Sequence, residues 1–189
     1  PIAQGDTSSL RDKEGFMYYE SDEFEANADL EQIEKEIRAQ VERFRSFGVE
    51  PSHLDNHMGS LYGIESGRFE VLNLTLDMAG EYGLPFRFPG TFVPEMFEND
   101  TLDVKIDQQL IAMVFDKVIQ YAKSKGVAMP DYLIPGEWNG PQNDSYENFK
   151  EYIYELYRSF PNGVTETYIH PALESEELKG ISGAWHRRV

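Results

Sequence analysis

The sequence predicts an α/β fold, a (β/α) barrel of parallel strands with helices outside, or part of one. Three observations carry this. An amphipathic helix, a glycine, a hydrophobic stretch and a polar loop recur about every 35–45 residues, the length a strand–helix unit needs. Each hydrophobic stretch ends in polar residues, as strands do where a parallel sheet meets its ligand. Neither GxGxxG nor GxxxxGK[ST] occurs, which places an open doubly wound sheet second.

The first unit opens at Asp29, a side chain suited to cap a helix, followed by Leu30, Ile33, Ile37, Val41 and Phe44 at helical spacing. Acidic residues crowd its first half, and Arg38, Arg43 and Arg45 its second, matching the helix dipole. Gly48 stops the helix, and VEPSHLDNH runs on as an extended segment. Next, SGRFEVLNLTLDMAGEYG predicts a helix ending at Gly83, with LPFRF as the strand. LDVKIDQQLIAMVFDKVIQYAKSKG predicts a long helix with Leu110, Ile111, Val114, Val118 and Ala122 inward, then VAMPDYLIP after Gly126. In DSYENFKEYIYELYRSF, Phe149, Tyr152, Ile153, Leu156 and Phe160 share one face, and GVTETYIHP follows. The predicted strand ends carry His53, Asp55 and His57, then Arg87, then Glu137 and Trp138, then His170, all expected at one rim.

At 189 residues the chain suits a single domain with a sizeable core. Hydrophobic residues make up 40% and charged residues 27%, a globular balance without an apolar run long enough to span a bilayer. Seventeen basic against 34 acidic residues give a net charge of −17, which repels nucleic acid and admits neutral or cationic ligands. Cysteine is absent, so disulfides, thiolate metal sites and a cysteine nucleophile are excluded. Cytoplasmic residence is the expectation that fits this. The opening PIAQGDTSSLRDKEGF reads like the interior of a longer protein.

Two of the four histidines lie in GVEPSHLDNHMGSLYG. Pro51, Gly59 and Gly63 argue against a helix there, and residues four apart on an extended strand are separated by ~13 Å, too far to share one ion unless the chain turns. His57, nearer the loop, is the better ligand candidate, with His53 supporting it or in an outer shell. A hydrogen-bonded strand-end pair is the plain alternative. Leu54 stands where a zinc-protease HExxH motif needs its glutamate, so that motif is not matched. His170 precedes Pro171, which halts a strand, and an imidazole held there suits general acid–base work or merely caps the strand. Arg87 can orient a substrate oxygen or pair with one of the many acids. Trp138, beside Glu137, can stack on a sugar or simply pack. His186, next to two arginines near the end, looks ordinary.

PSHLDNHMGSLYG, the preceding EIRAQVERFRSFGVEP, then EYGLPFR and YIHPALESEEL in order, resemble the YdjC-like carbohydrate deacetylases from about Asp29 to Val189. Ser52 and Asn56 are mild variants of the family's Pro-Thr-His-Leu-Asp-Ser-His. The resemblance implies a distorted (β/α) barrel and hydrolysis of the acetyl group of an N-acetylated amino sugar or oligosaccharide by a divalent metal (Mg or Zn). It makes His57 a metal ligand, His170 the general acid and Arg87 the arginine after the central strand; Asp55 and Trp138 are candidates for substrate binding.

The family's Asp-Asp-Phe-Gly and His-Leu-Thr strands, which bring the other two ligands and the general base, are not found in the 189 residues. The expectation is therefore one deacetylase-like domain, 1–189, lacking its N-terminal part, inactive as it stands and active in the full-length protein. The unpaired parallel edge so exposed predicts a homodimer or aggregation. Two rival readings are a metal-dependent hydrolase of another substrate and a non-catalytic sugar-binding or regulatory barrel.

Overall fold

The computed structural model describes residues 1–64, 66–91, 108–136, 140–183 and 185–188. The chain divides into two compact units: Pro1–Phe92 with Val104–Met129, and Val93–Asp103 with Pro130–Val189.

In the first unit, α1 (Ser21–Asn27) leads into α2 (Leu30–Ser46). The Asp29 carboxylate accepts from the Gln32 amide at 3.1 Å, the predicted cap, and Arg43 and Arg45 close the last turn. Ile33 and Val41 are buried as predicted, whereas Phe44, in the last turn, is 45% exposed. One core cluster joins Leu10, Phe24, Ala28, Ile33 and Val71. Burying each large aliphatic or aromatic side chain of that cluster is worth about 1.5–3 kcal/mol.

α3 (Phe69–Tyr82) ends at Gly83 in the left-handed conformation (φ 66°, ψ 30°), where its N–H reaches back to Ala79 and Gly80. Arg38 on α2 grips Glu81 on α3 through both terminal guanidinium nitrogens, Nη1 and Nη2. That bond holds the Glu81 carboxyl below its ordinary value, so the clasp is present at neutral pH and weakens as pH falls through the lowered value. α4 (Gln108–Ser124) buries Phe115, Val118 and Ala122, with Val114 half-buried; the side chains of Leu110 and Ile111 lie outside the described residues. Gly80 lets α3 approach the end of α4: a Cβ there would stand 2.9 Å from the Lys125 carbonyl oxygen.

Between the helices the chain forms a rudimentary parallel sheet. Leu54 bridges Phe86, its N–H donating to Pro85 O (2.8 Å) and its carbonyl accepting from Arg87 N (3.1 Å); Phe86 N donates to Ala128 O at 2.9 Å. These three segments are the ones predicted as strands, and the Leu54–Phe86 bridge has the predicted parallel sense.

The second unit carries β1 (Tyr132–Leu133) and β2 (Thr165–Glu166), paired in parallel with Tyr132 opposite Thr165 and Leu133 opposite Glu166. Asp131 prepares the second strand: its carboxylate accepts from Val164 N at 2.8 Å, against Gly163 at φ +138°, where a Cβ would lie 2.7 Å from the same oxygen. α5 (Tyr146–Ser159) is capped by Ser145, and α6 (Glu176–Ile181) by Ser175. The predicted α5 stripe of Phe149, Tyr152, Ile153, Leu156 and Phe160 lies half-buried throughout.

Among the described residues, parallel pairing extends over a few residues at a time, so the fold is mixed α/β with helices and a small parallel sheet. A closed barrel is not seen in it. No helix of the described residues is long and apolar enough to cross a membrane.

Candidate functional site

The predicted site residues fall into two groups, one in each unit. In the first, Asp55 and Arg87 follow Leu54 and Phe86 directly, so the parallel bridge sets them side by side. Arg87 Nη1 donates to Asp55 Oδ2 at 2.8 Å, with the arginine side chain 18% and the aspartate 37% exposed. Asp55 is thus the acid that meets Arg87. The loop that follows folds back over the strand ends: the Tyr62 hydroxyl donates to Arg87 O at 2.7 Å, and its ring stands edge-on to Phe86 and Phe88.

His57 starts the turn of that loop, a 3-10 turn over His57–Gly59, and its side chain is exposed. Met58 takes a left-handed conformation there (φ 55°, ψ 22°), rare for a side chain other than Gly, Asn or Asp. His53 is exposed as well, its Nδ1 2.9 Å from the Ser52 hydroxyl. Asn56 accepts from Leu61 N at 3.2 Å, and its buried amide nitrogen meets no acceptor among the described residues.

Asp55→Asn is expected to lower stability by about 1 kcal/mol, because the ion pair loses its anion and the Arg87 cation is left with a neutral acceptor at a partly exposed site. A double-mutant cycle with Arg87→Gln, read by urea denaturation, measures the coupling. A value indistinguishable from zero would mean that the two side chains do not fix one another.

In the second unit His170 lies on the exposed run after β2, its ring 5.9 Å from that of Tyr168 in an edge-on contact. It lines a cavity of about 440 Å³, within the ~300–1,000 Å³ typical of small-ligand pockets. The walls come from the loop and first turn of α5 (Asp144, Tyr146), from the His170 run, and from a C-terminal 3-10 turn, Trp185–Arg187, that brings Trp185 and His186. Ala172 N donates to Arg188 O at 2.7 Å, tying the last two together. Trp138, predicted to stack on a ligand, lies outside the described residues, as does Glu137. Sequence reasoning does not find Trp185 or His186 as site residues. The available signal is that Trp185 is one of only two tryptophans and sits beside a histidine.

Among the described residues no three His, Asp or Glu side chains are grouped to hold a metal ion. A catalytic ion generally takes three protein ligands. His57 and His53 are exposed, and Asp55 is engaged by Arg87, so this set does not fit a complete metal centre.

Over 92 residues the chain is 36% identical to a carbohydrate deacetylase of Clostridium beijerinckii, covering 48% of this chain and 35% of that protein. A carbohydrate deacetylase of Brevibacillus brevis is 35% identical over 92 residues, 49% of this chain and 34% of its own. The matched part spans about a third of the length of these curated relatives. A crystal structure from Enterococcus faecalis, of a protein provisionally named for cellobiose-phosphate cleavage, superposes with a TM-score of 0.62 at 22% identity, over 96% of this chain and 58% of that one. At that identity the likeness speaks for the fold. The family of YdjC-like proteins matches residues 2–188, and with nearly the whole sequence inside that match the chain belongs to the YdjC-like family.

Proposed function

We propose that this chain carries substrate-binding and proton-handling residues of a carbohydrate deacetylase, which hydrolyses the acetamide of an N-acetylated amino sugar or oligosaccharide to acetate and a free amine. The observation that carries this is the YdjC-like match over residues 2–188, supported by identity to two proteins named carbohydrate deacetylase. A cavity beside His170 with ring faces and polar groups in its walls suits an uncharged sugar, and the net charge of −17 offers no obstacle to one.

In this reading water adds to the acetyl carbonyl carbon and passes a proton to a general base, the C–N bond breaks, and the nitrogen leaves with a proton. His170, an exposed imidazole, gives that proton. Arg87, its guanidinium oriented by Asp55, donates to a substrate oxygen. Asp55 and Trp138 remain the proposed contacts to the sugar. His57, with His53 in support, is this chain's proposed contribution to a divalent metal (Mg or Zn). Because the described donors do not complete such a centre, the chemistry assigned here is confined to binding, orientation and proton movement by the chain itself.

Acetate release from N-acetylglucosamine oligosaccharides, assayed with the complete gene product in the presence of Mg or Zn, tests the reading. Release that depends on Arg87 and His170 is expected. Sugar binding without any acetate would overturn it in favour of a non-catalytic sugar-binding protein.

A further inference from the structure

Trp185 and His186 both line the cavity beside His170, and the deacetylase reading gives neither a role. We propose that this cavity is a subsite for one sugar ring, with Trp185 as its stacking platform and His186 as the residue that positions the ring. The proposal rests on the deacetylase reading for the class of ligand, a pyranose of an N-acetylated oligosaccharide.

The physical case begins with the walls. A pyranose has an apolar face of C–H groups and an edge of hydroxyls, so it needs an aromatic surface and donors or acceptors within one small space. Tyr146 and Trp185 supply aromatic surface, and Asp144 and His186 supply hydrogen-bonding groups. Tyr146 is 76% exposed, a large ring left in water at the cavity where a stacked ligand would cover it.

The second part of the case is that the platform is braced. The His186 ring stands edge-on to Trp185, 5.9 Å between centroids at 87°. The Lys179 ammonium lies 5.1 Å from the Trp185 ring centroid, a cation–π contact reaching it from α6. Trp185 N donates to Ser182 O at 3.1 Å, and the turn is tied through Arg188 O to Ala172, two residues after His170. These bonds link the platform to the imidazole assigned the proton, so a ring seated on Trp185 is held in register with His170. An arrangement fixed before the ligand arrives loses less freedom on binding.

Intrinsic fluorescence tests this without reference to turnover. Within these 189 residues the tryptophans are Trp138 and Trp185, so a change in emission that Trp185→Phe abolishes is the one Trp185 reports. Titrating the complete gene product with N-acetylglucosamine di- and trisaccharides is expected to give a saturable change in emission that is lost in Trp185→Phe. Acrylamide quenching of the unsubstituted protein, expected to fall as sugar saturates it, serves if the variant does not fold. A saturable change that survives undiminished in Trp185→Phe would overturn the proposal, as would no saturable change up to ~10 mM sugar, tenfold above the usual ceiling of KM.

In the acetate assay, His186→Ala is expected to raise KM about tenfold with little change in kcat, the pattern of a lost binding contact. A fall in kcat at unchanged KM would overturn the positioning role. The two readings fail separately: acetate release without a Trp185 signal sinks the subsite, whereas a Trp185 signal without acetate sinks the deacetylase and leaves the subsite standing.

Discussion

Replacing His170 by glutamine is expected to lower kcat for acetate release about 10²–10⁴-fold, the usual worth of a positioned proton donor. Glutamine keeps a side chain of similar reach and hydrogen-bonding capacity but cannot give up and regain a proton near neutral pH. His170 is well placed to show so clean an effect: it is exposed, Pro171 follows it, and Tyr168 is its ring neighbour. Little of the core depends on it, so stability should hardly move. The measurement is steady-state kinetics across pH, with unfolding curves to check integrity. An unchanged kcat would place the proton on another group.

Gly63→Ala is expected to cost about 3 kcal/mol or more, enough to remove much of the stability of a typical domain. Gly63 is buried at φ +64°, and a Cβ there would fall 2.1 Å from the Arg68 carbonyl oxygen and 2.7 Å from its carbon. No rotamer relieves a clash at Cβ. Nor can Arg68 readily give way: its Nη1 donates to the carbonyls of Glu25 and Ala28, and its Nε to Glu70 at 2.8 Å. Gly48 provides the control, since it has φ +78° and nothing within 4 Å of where a Cβ would stand. Gly48→Ala should cost only the left-handed backbone penalty, about 1–2 kcal/mol. Urea midpoints of the two variants give the comparison, and equal losses would mean that the close approach to Arg68 carries no weight.

What could be seen in the sequence was local. Asp29 capping α2, the Ile33 and Val41 stripe and the Gly83 stop each depend on neighbours within a turn or two, and each is found. Strand positions were legible too, since Leu54, Phe86 and Ala128 are joined by backbone bonds where hydrophobic runs predict strands. Two acids on helices were not. Glu25 and Glu36 sit where an acidic, solvated face would be read, yet they are 1% and 5% exposed. Apart from Gln40, one turn along and donating to Glu36, their partners are far away in sequence: Ser66 donates to Glu25 from N–H and hydroxyl, and the amides of Ile2 and Ala3 donate to Glu36. A periodicity cannot report a bond to a residue some 30 to 40 positions off. The same holds for the site. Asp55 and Arg87 each stand out in the sequence, but their pairing at 2.8 Å follows from the bridge between their strands. Trp185 and His186 gain meaning only from the turn that carries them to the cavity beside His170.

The left-handed twist at Met58 bears on how the loop after His57 can vary. An oily side chain there suggests a choice made for packing, yet Met58 is 49% exposed, so greasiness has little purchase on it. Handedness of the main chain is the stricter judge: glycine and asparagine suit the position, whereas valine and isoleucine, branched next to the backbone, oppose it. Diversity at that spot should therefore track torsional tolerance, and an adjacent imidazole inherits its heading from whichever residue can bear the bend.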